Sequence, residues 1–388
     1  MKIFQNTIIT ALILIATTGY TQENDSIKYA PIQVSFAYPL ALNGINSSQY
    51  TNNFSLNILY GVNGGVNGFE IGSLVNILKG NVNGGQVSGI ANINQGSVRG
   101  AQLTGIYNLS QKEVIGAQIA GIANLVTDSL TGIQISGISN ISRGNVIGAQ
   151  INAISNIAMG EVKGTQISVI HNLSTDTIKG VQISVINNTA SAAMHGVQVS
   201  LINYAKELNG FQLGLINISD SSNGVSLGLL NFVKTGYHAI EVYGNEVFYT
   251  GINIKLGTKS LYNIYSAGFQ PSNPEIYGVG IGLGSNFNLA KKLTLSSDLT
   301  VNYINESTDS SSDLNLLNRL DLTLDFHFND NFSVLVGPSY NVHVSNWKAD
   351  ATGSFLTNIA VNPFYTEVEG DTQIQMWLGG KIGLRYTL

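Results

Sequence analysis

The five histidines, His171, His195, His238, His327 and His343, are the first places to look for chemistry. No two of them share a metal-ligand spacing, and no His-Glu-x-x-His segment occurs. A local zinc motif is therefore not encoded. His171 and His195 fall inside a repetitive stretch, where a variable repeat position accounts for them. His327 and His343 are different. They alternate with apolar residues in segments that put Asp321, Asp325, Lys381 and Arg385 on the same polar side. These six residues form the candidate site. They read either as the lining of a narrow, proton-linked pore or as the paired polar filling of a small β-barrel lumen. The filling is the expectation, because small barrels pack their interiors with side chains and buried charges come in pairs.

Other chemistry is poorly supported. Gly278, Gly280, Gly282 and Gly284 form an alternating glycine run that invites a phosphate-loop reading. No helix pattern follows it, so that reading fails. The glycines alternate with Val279, Ile281 and Leu283, which places them on one strand face and predicts close approach of another element. There is no Gly-x-Ser-x-Gly elbow. Asp128, Glu161 and Asp176 are scattered through turn-like segments and read as solvated charges. The chain has no cysteine, which excludes thiolate nucleophiles, disulfides and Cys-based metal sites. A non-enzymatic protein without cofactor or metal is expected. The net charge of −5 offers no nucleic-acid surface. Charged residues make up only 11% of the chain and glycine is abundant, at 43 residues, which fits a glycine-rich all-β protein and not a disordered one.

The elements that must position these residues fall into two groups. From Gly68 to about Val233 the chain repeats one unit, Gly-x-Gln-apolar-x-x-Ile-x-Asn-apolar. Its opening glycines are Gly68, Gly84, Gly100, Gly116, Gly132, Gly148, Gly164, Gly180 and Gly196, each 16 residues after the last, then Gly210 and Gly224 at a step of 14. Fixed-spacing repeats imply stacked units, none of which buries its apolar face alone. β-Branched residues and one glycine per unit favour strand over helix. Of fifteen charged residues between Gly68 and Lys234, only Glu70 lies in the motif itself. The motif is thus packed, and the Ser/Asn/Gly/Asp stretch after it is solvated. A parallel β-solenoid with one coil per unit would stack Gln102, Gln118 and Gln134, and likewise Asn108, Asn124 and Asn140, at about 4.8 Å. One large antiparallel barrel or sheet is the alternative. The solenoid is preferred, because the unit length is constant and aromatic girdle residues are scarce in the array.

The second group begins near residue 236. Leu293, Leu295, Leu299, Val301 and Tyr303 alternate with Thr294, Ser296, Asp298, Thr300 and Asn302. Similar alternation follows through Phe328, through Val342 and through Tyr386. Long strands with one apolar and one polar face, joined by alternating short and long connections, match a transmembrane β-barrel. About eight strands fit between Ala239 and Thr387. Two aromatic-bearing N-terminal strands over 30–62 would raise the count to ten. That count would insert the array, 63–235, between the second and third strands of a barrel completed by 236–388. Residues 1–22 read as a signal peptide: Lys2, then a short apolar core from Ile8 to Ala16, too short to span.

Units such as Gly180 to Asn187 (G-V-Q-I-S-V-I-N) and Gly210 to Asn217 (G-F-Q-L-G-L-I-N) resemble the surface-repeat proteins of Gram-negative bacteria. The resemblance extends from Phe54 through the array to Gly257. It implies an exported, envelope-associated protein and carries no activity or functional residue. The resulting expectation is an outer-membrane structural or interaction protein that presents its array for adhesion or envelope organisation. Its partners would be outer-membrane lipid and an unidentified envelope or extracellular partner, with no nucleic acid. A membrane pore is the first alternative and a soluble secreted binding protein the second.

Overall fold

The computed structural model describes residues 28–306, 314–348, 354–355, 357 and 359–388. The signal-peptide expectation at 1–22 lies outside them. The chain is all-β, a parallel β-solenoid of about 16 residues per turn followed by a closed eight-stranded antiparallel barrel. The solenoid, and not a single large antiparallel sheet, is therefore the architecture of the array.

Each coil contributes two short strands. Val114–Ala120 and Ala123–Val126 make one coil; Leu130–Ser136 and Ser139–Ser142 make the next. The strands pair in parallel with like residues in register, Gly116 on Gly132, Gln118 on Gln134 and Asn124 on Asn140. The glycine column has a local cause. From Gly68 to Gly196 every opening glycine has φ between +131° and +156°, which L side chains rarely adopt. A Cβ at Gly132 would also strike the carbonyl oxygen of Gly116 in the coil before.

Two amide ladders fill the interior beside an apolar column formed by Val98, Val114, Leu130, Val146, Val162, Ile178 and Met194. From Gln102 to Gln212 each glutamine donates from Nε2 to the Oε1 of the previous coil's glutamine at 2.6–2.9 Å. From Asn76 to Asn217 each asparagine donates the other way, from Nδ2 to the next coil's Oδ1 at 2.7–3.2 Å. The ladders run in opposite senses, so their side-chain dipoles oppose. At the first rung Glu70 accepts from Asn57 (3.0 Å), Asn63 (2.7 Å) and Gln86 (2.8 Å). A carboxylate suits that end because it accepts from several donors and donates to none.

The N-terminal strands correct the sequence reading. Lys28–Ala37 and Tyr50–Asn63 pair in parallel with each other, and the second pairs in parallel with Gly65–Gly72 and Val75–Leu78. They are the first coils of the solenoid and contribute nothing to the barrel. The array therefore precedes the barrel and is not inserted within it. Leu40–Ala41 folds back antiparallel on Ser35 and Ala37 at the end of the first strand, and the 3-10 turn Gly44–Gln49 bonds the next coil at Val62 and Gly64.

The barrel strands are β1 (Tyr237–Asn245), β2 (Thr250–Gly257), β3 (Tyr262–Gln270), β4 (Asn273–Ala290), β5 (Leu293–Asn305), β6 (Asn315–His327), β7 (Phe332–Ser345) and β8 (Thr372–Thr387). Neighbours pair antiparallel, and β8 closes on β1 through Ala239–Thr387 to Asn245–Lys381. The links β2–β3, β4–β5 and β6–β7 are tight turns at one end. The longest connections, β5–β6 and β7–β8, lie at the other end, and the second carries the short strand Tyr365–Glu369.

The solenoid meets the barrel on the outside of its wall, beginning at the tight-turn end. On β3, Tyr262 and Ser266 face the lumen, where they bond Asp298 and Tyr243; Asn263 and Tyr265 therefore face outward. The Asn ladder ends there: Asn231 Nδ2 donates to Asn263 Oδ1 (2.6 Å), Asn263 Nδ2 donates to the Gly228 carbonyl (2.9 Å) and Tyr265 Oη to that of Leu229 (2.7 Å).

Two predictions follow from the ladders. Asn140 accepts from Asn124 and donates to Asn156 and to the Ile151 carbonyl. Asn140→Leu should lower stability by about 3 kcal/mol, since each orphaned buried polar group costs roughly 1–3 kcal/mol. Lys112→Ala in a turn should stay within about 0.5 kcal/mol. Urea titration followed by far-UV circular dichroism measures both. Burial raises the Glu70 carboxyl above its ordinary value, and its amide donors pull it back only in part. A raised folded-state value means stability present at low pH is lost as pH rises through it. Relative to Glu70→Gln, the wild-type chain should therefore gain stability as pH falls from neutral. An unchanged difference between the two proteins would remove this account of Glu70.

Candidate functional site

The barrel lumen is the site, and strand alternation builds it. On β1, Ala239, Glu241 and Tyr243 are buried while Ile240 and Val242 are exposed. On β6, Arg319, Asp321, Thr323 and Asp325 point inward, with Leu322, Leu324 and Phe326 outward. β8 sends Trp377, Lys381 and Arg385 inward and Leu378, Ile382 and Leu384 outward. Period-two alternation thus gives a polar inside and an apolar outside all round.

Glu241 is the hub. It accepts from Lys381 Nζ (2.6 Å), Lys255 Nζ (3.0 Å), Arg385 Nη2 (2.7 Å) and Asn253 Nδ2 (2.9 Å). Lys255 also pairs with Asp298 at 2.5 Å, and Tyr262 donates to the other oxygen of Asp298 at 2.7 Å. Arg385 pairs with Asp325, which further accepts from Ser296 Oγ (2.5 Å) and Thr323 Oγ1 (3.2 Å). One layer toward the long-loop end, Asp321 accepts from Arg319 Nε (2.6 Å) and Ser339 Oγ (2.6 Å) and lies 3.3 Å from Lys381 Nζ. Arg319 also reaches Glu246 (3.1 Å), which accepts from Asn341 Nδ2 (2.9 Å) and the Gly380 amide (3.0 Å). Four cations and five carboxylates form one connected, almost entirely buried network.

The structure brings Asp321, Asp325, Lys381 and Arg385 together in one network, with His327 beside Asp325 and Arg385 at its mouth and His343 apart from them. His343 lies near the long-loop end, with Nε2 2.5 Å from Asn315 Oδ1 and its ring edge-on to Trp377. His327 lies at the tight-turn mouth, with Nε2 3.0 Å from Thr294 Oγ1. It lines a vestibule of about 380 Å³ together with Lys259, Asn288, Asp325 and Arg385. Sequence reasoning missed Glu241, Glu246, Lys255, Asp298 and Arg319 as members. For Glu241 the signal was its parity with Ala239 and Tyr243; for Lys255 it was its place between Ile254 and Leu256.

The glycine run has its predicted role. Gly278, Gly280 and Gly284 face the lumen beneath Phe248, Asn302 and Tyr262, which a Cβ at any of the three would strike. Above the network the free space lined by Tyr243, Phe248, Asn302 and Arg319 is about 10 Å³, room for about one water. Every carboxylate of the network already holds two or more donors. The arrangement fills and stiffens the barrel, with no carboxylate or lysine left unpaired in it for proton transfer.

No protein-family model, curated protein or solved structure matches this chain.

Removing one partner of a buried ion pair typically costs about 3–5 kcal/mol, because the other charge is left uncompensated. Arg385→Ala strips Glu241 and Asp325 together, so it should lower the melting temperature followed by far-UV circular dichroism. Arg385→Lys should restore part of that loss. Equal transition temperatures for wild type and Arg385→Ala would show that the network does not hold the barrel closed.

Proposed function

We propose that this protein is a non-enzymatic structural or interaction component of a Gram-negative cell envelope, exported by its N-terminal segment and anchored in the outer membrane by the barrel. One observation carries the reading: an eight-stranded closed sheet whose outer surface is apolar, including Ile240, Ile254, Val279, Leu322, Val336 and Ile382, around a charged interior. A soluble barrel would bury its apolar residues inside; a lipid-facing one reverses the pattern. Resemblance of the repeat units to surface-repeat envelope proteins agrees with this.

The attachment point of the solenoid refines the role. Barrels of this kind carry tight turns on the periplasmic side and long loops outside. The array enters at the tight-turn end, so it belongs on the periplasmic side. Envelope organisation then fits better than adhesion to an outside partner. The pore alternative is not favoured, since the ion-pair network spans the lumen.

Membrane fractions should contain the protein in the outer membrane, and its band in SDS should shift on boiling. Purified protein in planar bilayers should give no conductance steps. Recovery in the periplasm or medium would overturn the anchoring, and reproducible ion-selective steps would overturn the filled-lumen reading.

A further inference from the structure

The solenoid is inside-out in the same sense as the barrel. Its amides point inward, and isoleucines point outward. The corner between the two strands of each coil carries the outermost of them: Leu74, Ile90, Ile106, Ile122, Ile138, Ile154, Ile170 and Ile186 follow one another, each exposed. The residue just before this column is Ser73, then glycine at 89, 105, 121 and 137, then Ala153, Val169, Val185, Leu201, Leu215 and Leu229. No charge occupies either column. On the broad faces beside this edge, Leu103, Ile119, Ile167, Ile183, Leu213 and Leu227 are exposed as well. Lys79, Arg99, Lys112, Glu113, Asp128, Arg143 and the other charges of the array, Glu70 excepted, lie at or next to the opposite edge, where Ile115, Ile147 and Met159 are the exposed apolar exceptions. The result is a wedge roughly 50 Å long by strand spacing, apolar at one edge and charged at the other. Contiguous exposed apolar surface on soluble monomers seldom exceeds a few hundred Å².

The barrel fixes which way the wedge points. In the last coil, Val233 lies beside Gly236 and Gly257 at the tight-turn end, Asn231 reaches Asn263, and Leu229 reaches Tyr265 further along the wall. Tyr265 pairs across the sheet with Ile281, and Ile281 with Val301. The apolar edge therefore points toward the middle of the barrel's outer surface, and the charged edge points out past the tight turns. Between them Val185, Leu201, Leu215 and Leu229 face Ile281, Leu283, Leu299 and Val301 across a cleft of about 800 Å³. The two apolar surfaces are continuous.

We propose that the solenoid lies along the bilayer with its isoleucine edge among the acyl chains of the leaflet on the tight-turn side, and that lipid fills the cleft. This rests on the reading of the barrel as membrane-spanning. Acyl chains are the occupant because the surface joins the barrel's own lipid-facing wall and the charges sit on the edge turned away from it. A protein partner would have to bind within that same apolar layer.

The natural chain has no cysteine, so single cysteines can be placed and labelled uniquely. Ile122→Cys probes the apolar edge, Lys112→Cys the charged edge and Leu322→Cys the barrel wall. Each full-length variant carries an environment-sensitive fluorophore and is reconstituted in phosphatidylcholine vesicles with or without brominated acyl chains. Brominated lipid should quench most emission at 322 and at 122, while 112 should respond only to aqueous iodide. Quenching at 322 without quenching at 122 overturns the proposal. Iodide access at 122 would then mean a solenoid in water; protection from both quenchers would mean a second copy on the edge. No lipid quenching at 322 removes the membrane-spanning reading and this proposal with it. Ile138→Cys repeats the edge measurement, and retention of the boiling-sensitive gel shift confirms that each variant is folded.

Discussion

Every side chain in the array must tolerate its own copy one strand spacing away. That constraint selects the sequence. A buried charge cannot be repeated at about 4.8 Å without repulsion, whereas an amide can, because it donates to one neighbour and accepts from the other. Gln and Asn therefore hold the two polar interior columns from coil to coil, and the one interior charge, Glu70, sits where the Gln ladder needs a terminal acceptor. Glycine holds the position in the first strand of each coil where the backbone takes positive φ and the previous coil's glycine leaves no room for a Cβ. Once the inside is committed to amides and one apolar column, the remaining isoleucines face outward.

The barrel solves the opposite problem. Its strands face different residues across the lumen, so charge can be balanced by an unlike partner and not by a copy. Glu241 is surrounded by Lys255, Lys381 and Arg385, each from a different strand or a different height on β8. The glycines of β4 make the inside shallow enough for Tyr262 and Phe248 to cross it. Both halves of the molecule thus place polarity inside and hydrocarbon outside by unrelated means.

This difference decides what was legible from the sequence. The array was readable in detail because register repeats in the chain itself: Gln118 over Gln134 follows from spacing alone. The polar face of each barrel strand was readable by parity, which put Asp321, Asp325, Lys381 and Arg385 on the inward side. Parity does not give height within the barrel, so His327 and His343, on the same polar face, proved to lie at opposite ends. The N-terminal strands were misplaced for a related reason. Ile32, Val34 and Phe36 alternate with Gln33 and Ser35, and an outer-apolar strand in an end coil has the same pattern as a lipid-facing barrel strand.

A stack of parallel coils has two open edges, and terminal units must close them. At the first coil the chain folds the turn-back at Leu40–Ala41 onto Ser35 and Ala37. At the last coil the barrel wall closes the edge. Asn263 takes the place of the next ladder asparagine, accepting from Asn231 and donating to the Gly228 carbonyl, while Tyr265 takes the Leu229 carbonyl. The same strand reaches the ion-pair network behind it, where Tyr262 donates to Asp298. The filled lumen and the long array are then parts of one arrangement. On its lumen side β3 is tied to Asp298 of the network through Tyr262, and on its outer side Asn263 ends the ladder of the last coils.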